Sequence, residues 1–176
     1  MAKQDYSWIG SLEPRRVLEF FSDISAIPRE TGNLEQISSA VESWIHGMGL
    51  KVVRDRFCNV KAFKPASPGY EDAPAVMLTA HLDMVCVKVP GSGHDFKKDP
   101  IHIKVQNGDT IKADGTTLGA DDAIGAAMIL AVLESKTLRH PALEAVFTAD
   151  EETDMSGALN MDYSDLKSKL ILNLDS

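Results

Sequence analysis

The stretch that decides the fold is Ala75-Val76-Met77-Leu78-Thr79-Ala80, which is followed directly by His81-Leu82-Asp83. A short run that is apolar almost throughout predicts a central strand covered on both faces, as in the sheets of α/β proteins. The imidazole and the carboxylate come where this strand ends. Because open α/β sheets bind ligands at the carboxyl ends of their strands, the segment also predicts a functional site.

Three acidic clusters follow along the chain, each at the border of an apolar segment. They are Asp121-Asp122, Asp150-Glu151-Glu152 and Asp175. If the sheet brings the strand ends together, one imidazole and at least three carboxylates converge. Carboxylates that lie so close repel one another unless cations neutralise them. Mixed nitrogen and oxygen donors suit zinc, manganese or cobalt better than calcium, so the pattern predicts a site for divalent metal ions.

Each signal also has an ordinary structural interpretation. A lone His81 can be a hydrogen-bonded histidine at a strand end, and Asp121-Asp122 can cap a helix and offset its dipole. The cluster at 150–152 can be a solvated charged turn, and Asp175 a turn former. A single shared site explains all four signals together, and we therefore favour it.

Two local arrangements indicate separate roles for neighbouring groups. In an extended stretch, residues two apart share a face, so Asp83 can accept a hydrogen bond from the ring nitrogen of His81 that does not bind a metal. Of the adjacent Glu151 and Glu152, one can bind a metal while the other takes a proton from water. The glycine-rich loop at 115–119 lacks the Gly-Lys-Ser/Thr of a phosphate-binding loop, which excludes that alternative.

The distribution of apolar residues predicts an α/β fold. Helical spacing predicts helices over 14–27, 33–48 and 122–135 and a short helix over 156–159, with Asn33 as the cap of the second. Apolar or alternating runs predict strands over 50–55, 60–63, 74–80, 143–148 and 170–174, and a hairpin of 101–105 and 110–112 around Asn107-Gly108. Because strands and helices alternate, we expect a mainly parallel or mixed central sheet flanked by helices.

Composition limits the classes of function. The chain has 176 residues, which fits one domain, and 26 acidic against 18 basic residues give a formal charge of −8. That balance argues against a nucleic-acid binder, since phosphate neutralisation needs clustered Lys and Arg. The sequence shows no signal peptide and no apolar run long enough to cross a membrane. Two cysteines make no disulfide framework, so we expect a cytoplasmic protein.

Longer motifs resemble those of one enzyme family. They are His81-Leu82-Asp83-Met84-Val85, His94-Asp95-Phe96 with Asp99-Pro100-Ile101, Gly115-Thr116-Thr117-Leu118-Gly119-Ala120-Asp121, and Glu151-Glu152 with Met155, Gly157 and Ala158. These motifs resemble the aminoacyl-histidine dipeptidases, also called Xaa-His or cytosol non-specific dipeptidases, within the co-catalytic zinc peptidases. The resemblance covers nearly the whole chain.

The resemblance implies a fold, a reaction and a set of roles. The fold is a three-layer, zinc-peptidase-like catalytic domain, and the reaction is hydrolysis of Xaa-His and related short peptides through a metal-bridged water. Two divalent ions are implied, with Zn²⁺ expected and Mn²⁺ or Co²⁺ as alternatives. The implied metal ligands are His81, Asp121 as the bridging carboxylate, Glu152 and Asp175. The implied catalytic groups are Glu151 as general base and Asp83 as the orienting carboxylate, and the Asp121–Asp122 peptide bond is implied to be cis.

The chain also departs from the family pattern. Similar enzymes continue well past Ser176 with a lid or dimerisation domain and a last metal-binding histidine, and close relatives carry Asn at the position of Asp122. We therefore expect residues 1–176 to be the N-terminal part of the catalytic domain of a homodimeric enzyme, an incomplete domain that is inactive alone. The alternatives are a non-catalytic metal-binding fragment or domain, and an aminopeptidase or deacylase of the same group. Neither a nucleic acid nor a membrane is an expected partner.

Overall fold

The computed structural model describes residues 6–175 of the chain, and they form a mixed α/β fold. The helices are α1 (Arg15–Ser25), α2 (Glu35–Gly47), α3 (Ala120–Glu134) and α4 (Ser156–Asn160), with a 3₁₀ turn at Ser7–Ile9. The strands are β1 (Lys51–Arg54), β2 (Val60–Lys64), β3 (Val76–His81), β4 (Ile103–Gln106), β5 (Thr110–Ala113), β6 (Leu143–Thr148) and β7 (Leu170–Asn173).

Five strands form the central sheet in the order β1-β2-β6-β3-β7. The pairs β1–β2 and β2–β6 are antiparallel, whereas β6–β3 and β3–β7 are parallel. The expectation of a mixed sheet flanked by helices is confirmed. The apolar segment that ends at His81 is an inner strand of this sheet, as predicted.

Strands β4 and β5 form a separate hairpin, which confirms the hairpin prediction. Gln106 pairs with Thr110, and the turn between them places both Asn107 and Gly108 at positive φ. Asn and Gly are the residues that adopt this backbone conformation most readily in tight turns.

Side chains alternate along each strand, so every strand contributes residues to both faces of the sheet. Different elements cover the two faces. On one face, α3 packs against β3 and α1, and α2 packs against β1 and β2. The residues that the sheet contributes to this main core include Val60, Ala62, Leu78, Ala80, Ala145 and Phe147. On the other face, a smaller cluster joins Met77 and Val146 to Met161 and Leu166, which both lie in the segment after α4.

The start of α2 differs from the prediction in one respect. Leu34, and not Asn33, occupies the cap position, and its side chain makes no capping hydrogen bond. Residues 30–33 form a turn in which the Asn33 N–H donates to the Glu30 carbonyl at 2.8 Å. That turn, with Gly32 at φ +80°, places Asn33 one position too early to cap the helix.

Strand β7 lies at an edge of the sheet and carries exposed apolar side chains. Leu170, Ile171 and Leu172 are 54%, 66% and 53% exposed. Within residues 6–175, no helix combines the length and the apolar character that crossing a membrane requires.

Candidate metal centre

Three neighbouring parallel strands end at the same edge of the sheet, and a predicted ligand lies at the end of each strand or shortly after it. His81 is the last residue of β3 and pairs with Thr148 at the end of β6. The β6 strand leads into the turn that carries Glu151 and Glu152, and Asp175 follows β7. The first turn of α3 adds Asp121 to the same edge.

His81 is the centre of this arrangement and is only 2% exposed. Its Nε2 lies 3.0 Å from Oδ1 of Asp121 and 4.0 Å from Oε2 of Glu151. Its Nδ1 lies 3.3 Å from Oδ1 of Asp83. Although burial lowers the pKa of His81, its contacts with the carboxylates of Asp83 and Asp121 outweigh burial and raise this pKa to about 9. The surroundings of the ring thus favour a positive charge at this point.

Asp83 is fully buried and fixes the turn that carries the two glutamates. Its Oδ1 accepts from the backbone N–H of Glu151 at 3.0 Å. Its Oδ2 accepts from the N–H of Glu152 at 3.1 Å and from the hydroxyl of Thr31 at 2.9 Å. Burial raises the pKa of Asp83, but the contact with His81 and these three hydrogen bonds outweigh burial. The net effect is a pKa below the usual value of an aspartate, so the carboxylate is ionised. This position is compatible with the predicted orienting role.

The ligand atoms form two triads that share His81. In one triad, ligand atoms of His81, Glu151 and Asp175 all lie within 4.8 Å of one another, and in the other those of His81, Asp121 and Glu152 do so. The four predicted metal ligands and the predicted base therefore surround one region. The geometry also makes Glu151 a possible ligand, which the prediction had assigned only as a base. Burial raises the pKa of Glu152, and the carboxylates around it add to this effect.

This donor set fits divalent metal ions. One imidazole whose second nitrogen faces a buried carboxylate, together with several carboxylates at ligand distance, is the combination that zinc and related ions bind. Because both triads share His81, whose Nε2 can bind one ion, any second ion in this region would be held by the carboxylates. The role of each side chain remains a prediction.

Asp122 turns its carboxylate away from the triads and into the protein. Its Oδ2 accepts from the backbone N–H of His81 at 3.2 Å, and its Oδ1 accepts from the N–H of Gly125 at 3.1 Å. Burial raises the pKa of Asp122 to about 6. The peptide bond between Asp121 and Asp122 is cis, as the resemblance implied, and both residues have non-helical backbone angles at the start of α3.

Two residues that help to build the site were missed by the sequence analysis. The guanidinium of Arg29 is buried and donates to backbone carbonyls on both sides of the site. The Asn59 side chain accepts from the N–H of Ala149 at 3.0 Å and donates to the carbonyl of Gly157 at 2.9 Å, which holds the turn after β6. His94, which was interpreted as structural, packs edge-on against Phe96 and belongs to neither triad.

Comparison with known proteins finds sequence relatives of this chain. No protein-family profile matches the chain. The chain is 39% identical over 170 residues to the cytosol non-specific dipeptidase of Escherichia coli (strain K12), which covers 97% of this chain and 35% of that protein. It is also 29% identical over 171 residues to the uncharacterized protein YqjE of Bacillus subtilis (strain 168), covering 92% of this chain and 43% of that protein.

Solved structures agree with the sequence relatives. The crystal structure of aminoacylhistidine dipeptidase from Vibrio alginolyticus matches with a TM-score of 0.92 and 40% identity, covering 97% of this chain and 35% of that one. A tripeptidase from Staphylococcus aureus matches with a TM-score of 0.77 and 26% identity, covering 92% of this chain and 43% of that one. The chain thus spans about a third of the length of the dipeptidases that it matches. The resemblance to the aminoacyl-histidine dipeptidases that the motifs indicated is confirmed over 97% of the chain.

Proposed function

We propose that this chain forms part of a metal-dependent dipeptidase that hydrolyses Xaa-His and related short peptides. The observation that carries the proposal is the pair of ligand triads around His81 at the ends of three parallel strands. The E. coli and V. alginolyticus proteins, which are named as dipeptidases, support it by their similarity over almost the whole chain.

The proposed cofactor is a pair of divalent ions, with Zn²⁺ preferred over Mn²⁺ and Co²⁺. His81 and Asp175 would bind one ion, Glu152 would bind the other, and Asp121 would bridge them. When bound, such ions lower the pKa of a water molecule towards neutrality and polarise the carbonyl oxygen of the substrate.

The side chains of the protein supply the remaining steps. Asp83 holds the Nδ1 side of His81 and leaves Nε2 facing the carboxylates of the site. Glu151 takes a proton from the attacking water and passes it to the amine that leaves. Its side chain is 32% exposed while its backbone N–H is held by Asp83, so the carboxylate is accessible on a fixed turn.

The test uses the full-length natural protein that contains this chain. Glu151→Gln removes the proton acceptor, so we expect hydrolysis of carnosine to fall at least a hundredfold while the metal content per chain stays at the parent value. Glu71→Gln, on an exposed loop, is the matched control and should retain full turnover. Near-normal hydrolysis by Glu151→Gln rejects this residue as the base, and a parent protein that binds no divalent metal rejects the whole proposal.

A non-catalytic role for the 176-residue chain itself has one observation in its favour. The chain spans 35% of the length of the dipeptidases it matches. We expect the isolated chain with added Zn²⁺ to bind metal but not to hydrolyse carnosine. Robust turnover by the isolated chain would exclude this second candidate.

A related aminopeptidase or deacylase activity is the third candidate. The similar S. aureus protein is named as a tripeptidase, which favours an activity on peptides longer than dipeptides. A panel of Xaa-His dipeptides, tripeptides and N-acetyl amino acids separates these activities. Preferred turnover of the dipeptides supports the dipeptidase assignment.

Three further predictions concern the whole protein. Residues 1–176 are proposed to be the N-terminal part of a catalytic domain, with a lid or dimerisation domain elsewhere in the natural chain. The full-length protein is proposed to be a homodimer, which sedimentation equilibrium tests directly. A cytoplasmic location is proposed from the composition and from the name of the E. coli relative.

A further inference from the structure

We propose that Arg29 is a positioning residue, which clamps the segment after His81 to the turn before Asp121 and so sets the spacing of these two predicted ligands. The clamp stands on contacts within the protein. Its consequence for metal binding rests on the function proposed above.

The contacts of Arg29 join two segments that are distant in the sequence. Its Nη1 donates to the carbonyl oxygens of Leu82 at 3.1 Å and Asp83 at 2.9 Å. Its Nη2 donates to the carbonyl oxygen of Gly119. Leu82 and Asp83 directly follow His81, and Gly119 lies two residues before Asp121. One planar guanidinium therefore connects the backbone next to each ligand.

The backbone of Arg29 is also hydrogen-bonded to the segment that follows His81. Its carbonyl oxygen accepts from the N–H of Met84 at 3.2 Å. Glu30 and Met84 also form an isolated parallel bridge. Both ends of the Arg29 side chain are therefore fixed, so the length of the side chain determines how far apart the two segments lie.

Gly119 gives independent support for the clamp. This residue has φ +66°, and a Cβ built there would lie closer than 3 Å to Arg29 Nη2 and to the sulfur and methyl of Met84. Only glycine leaves room for the guanidinium to reach the carbonyl oxygen in this turn. The turn before α3 is thus shaped around the arginine.

The chemistry of the clamp requires arginine. The side chain is only 2% exposed, and burial lowers its pKa to about 10, so it is still protonated at neutral pH. The guanidinium offers donors in a rigid plane to three carbonyl oxygens, whereas the lysine ammonium is a compact charge on a flexible stem. Lysine would preserve the positive charge near the acidic cluster. It would not fix the distance between the segment after His81 and the turn before Asp121.

The first experiment tests the clamp without metal. In the metal-stripped protein, we expect Arg29→Lys to speed amide hydrogen exchange at least tenfold in segments 81–84 and 118–123. The β4–β5 hairpin and α2 should exchange at parent rates. Arg54→Lys is the matched control, since Arg54 pairs with Glu35 and Glu42 at the surface of the sheet. Parent rates in both segments, or an equal increase everywhere, would overturn the clamp.

The second experiment tests positioning with Co²⁺ as the probe, by calorimetric titration and by the visible spectrum of the bound ion. We expect Arg29→Lys to weaken Co²⁺ affinity about 10- to 100-fold, the range found when residues that orient metal ligands are replaced. The spectrum should change, whereas Arg54→Lys should match the parent in both measurements. An Arg29→Lys protein with parent affinity and spectrum contradicts the positioning role.

One result separates the failure of this inference from that of the proposed function. If the parent protein itself binds no Co²⁺, the proposed function fails, and the exchange measurement alone still decides the clamp.

A second variant covers the case in which Arg29→Lys does not fold. In Gly119→Ala, the added Cβ displaces the guanidinium while the charge of Arg29 remains. Parent exchange rates in segments 81–84 and 118–123 of Gly119→Ala would also overturn the clamp.

Discussion

The protonation state of the site depends on very few side chains. His81 is buried, yet its two ring nitrogens face Asp83 and Asp121 at 3.3 Å and 3.0 Å. A divalent ion that binds Nε2 replaces a proton there, so metal binding and protonation compete. His81 could be selected from the sequence because an imidazole at the end of a buried strand is a local pattern. The competition was not predictable, because it depends on a contact between residues that lie 40 positions apart.

In the metal-stripped protein, we expect the free energy of unfolding to fall as the pH rises from about 6.5 to 9. Because contacts with carboxylates outweigh burial and raise the pKa of His81 to about 9, the folded state holds this proton where the unfolded state has released it. The contribution is complete below the unfolded pKa of about 6.5 and is lost as the pH passes the folded value. It amounts to at most about 3–4 kcal/mol. Urea unfolding between pH 6 and 9.5 measures it.

The control for this pH dependence is a second histidine variant. His81→Asn should remove most of the slope between pH 6.5 and 9, whereas His46→Asn, on the exposed face of α2, should leave the slope unchanged. Identical slopes in His81→Asn and the parent would assign the effect to other groups.

Strands and helices with strong local patterns agree with their predictions. The segment before His81, the β4–β5 hairpin and the strand Leu143–Thr148 are clear because their apolar residues or turn residues are contiguous in the sequence. Details that depend on distant contacts were not predictable. The hydrogen bonds by which Arg29 and Asn59 build the site reach groups that lie 53 to 98 positions away, and local spacing does not reveal them.

The short helix α4 positions the turn that carries Glu151 and Glu152. Gly157 in this helix lies close to Asn59 and to the backbone of Ala149, which a residue with a side chain could not do. A Cβ at Gly157 would lie closer than 3 Å to Asn59 Oδ1 and to the backbone of Ala149. We expect Gly157→Ala to reduce the free energy of unfolding by about 1–3 kcal/mol, because overpacking displaces buried groups. It should also weaken Co²⁺ binding, since Asn59 would no longer hold the turn. Chemical unfolding and calorimetric titration measure the two effects.

The matched control is another helical glycine with free space around it. A Cβ at Gly47, the last residue of α2, meets no atom within 4 Å. Gly47→Ala should therefore lose no stability and should bind Co²⁺ as the parent does. Equal stability of the Gly157 and Gly47 variants would show that α4 tolerates the added methyl group.

Charge and surface together determine how the 176-residue chain behaves in solution. Its formal charge of −8 opposes association, but β7 is an edge strand with Leu170, Ile171 and Leu172 more than half exposed. An exposed apolar edge strand presents unpaired backbone groups and is a template for pairing with another chain. The apolar run at 170–174 predicted the strand itself, but not its pairing with β3. Its exposure was not predictable either, because the same pattern also fits a strand covered on both faces.

We expect the isolated 176-residue chain to self-associate at concentrations of tens of micromolar through this edge. Leu172→Lys places a charge on the exposed strand and should increase the monomer fraction at least twofold in sedimentation velocity. Leu138→Lys changes a leucine that is similarly exposed, at 51%, but lies in a loop after α3, and should leave the monomer fraction unchanged. If both variants raise the monomer fraction equally, net charge explains the effect. A parent chain that is monomeric at these concentrations would rule out association through β7.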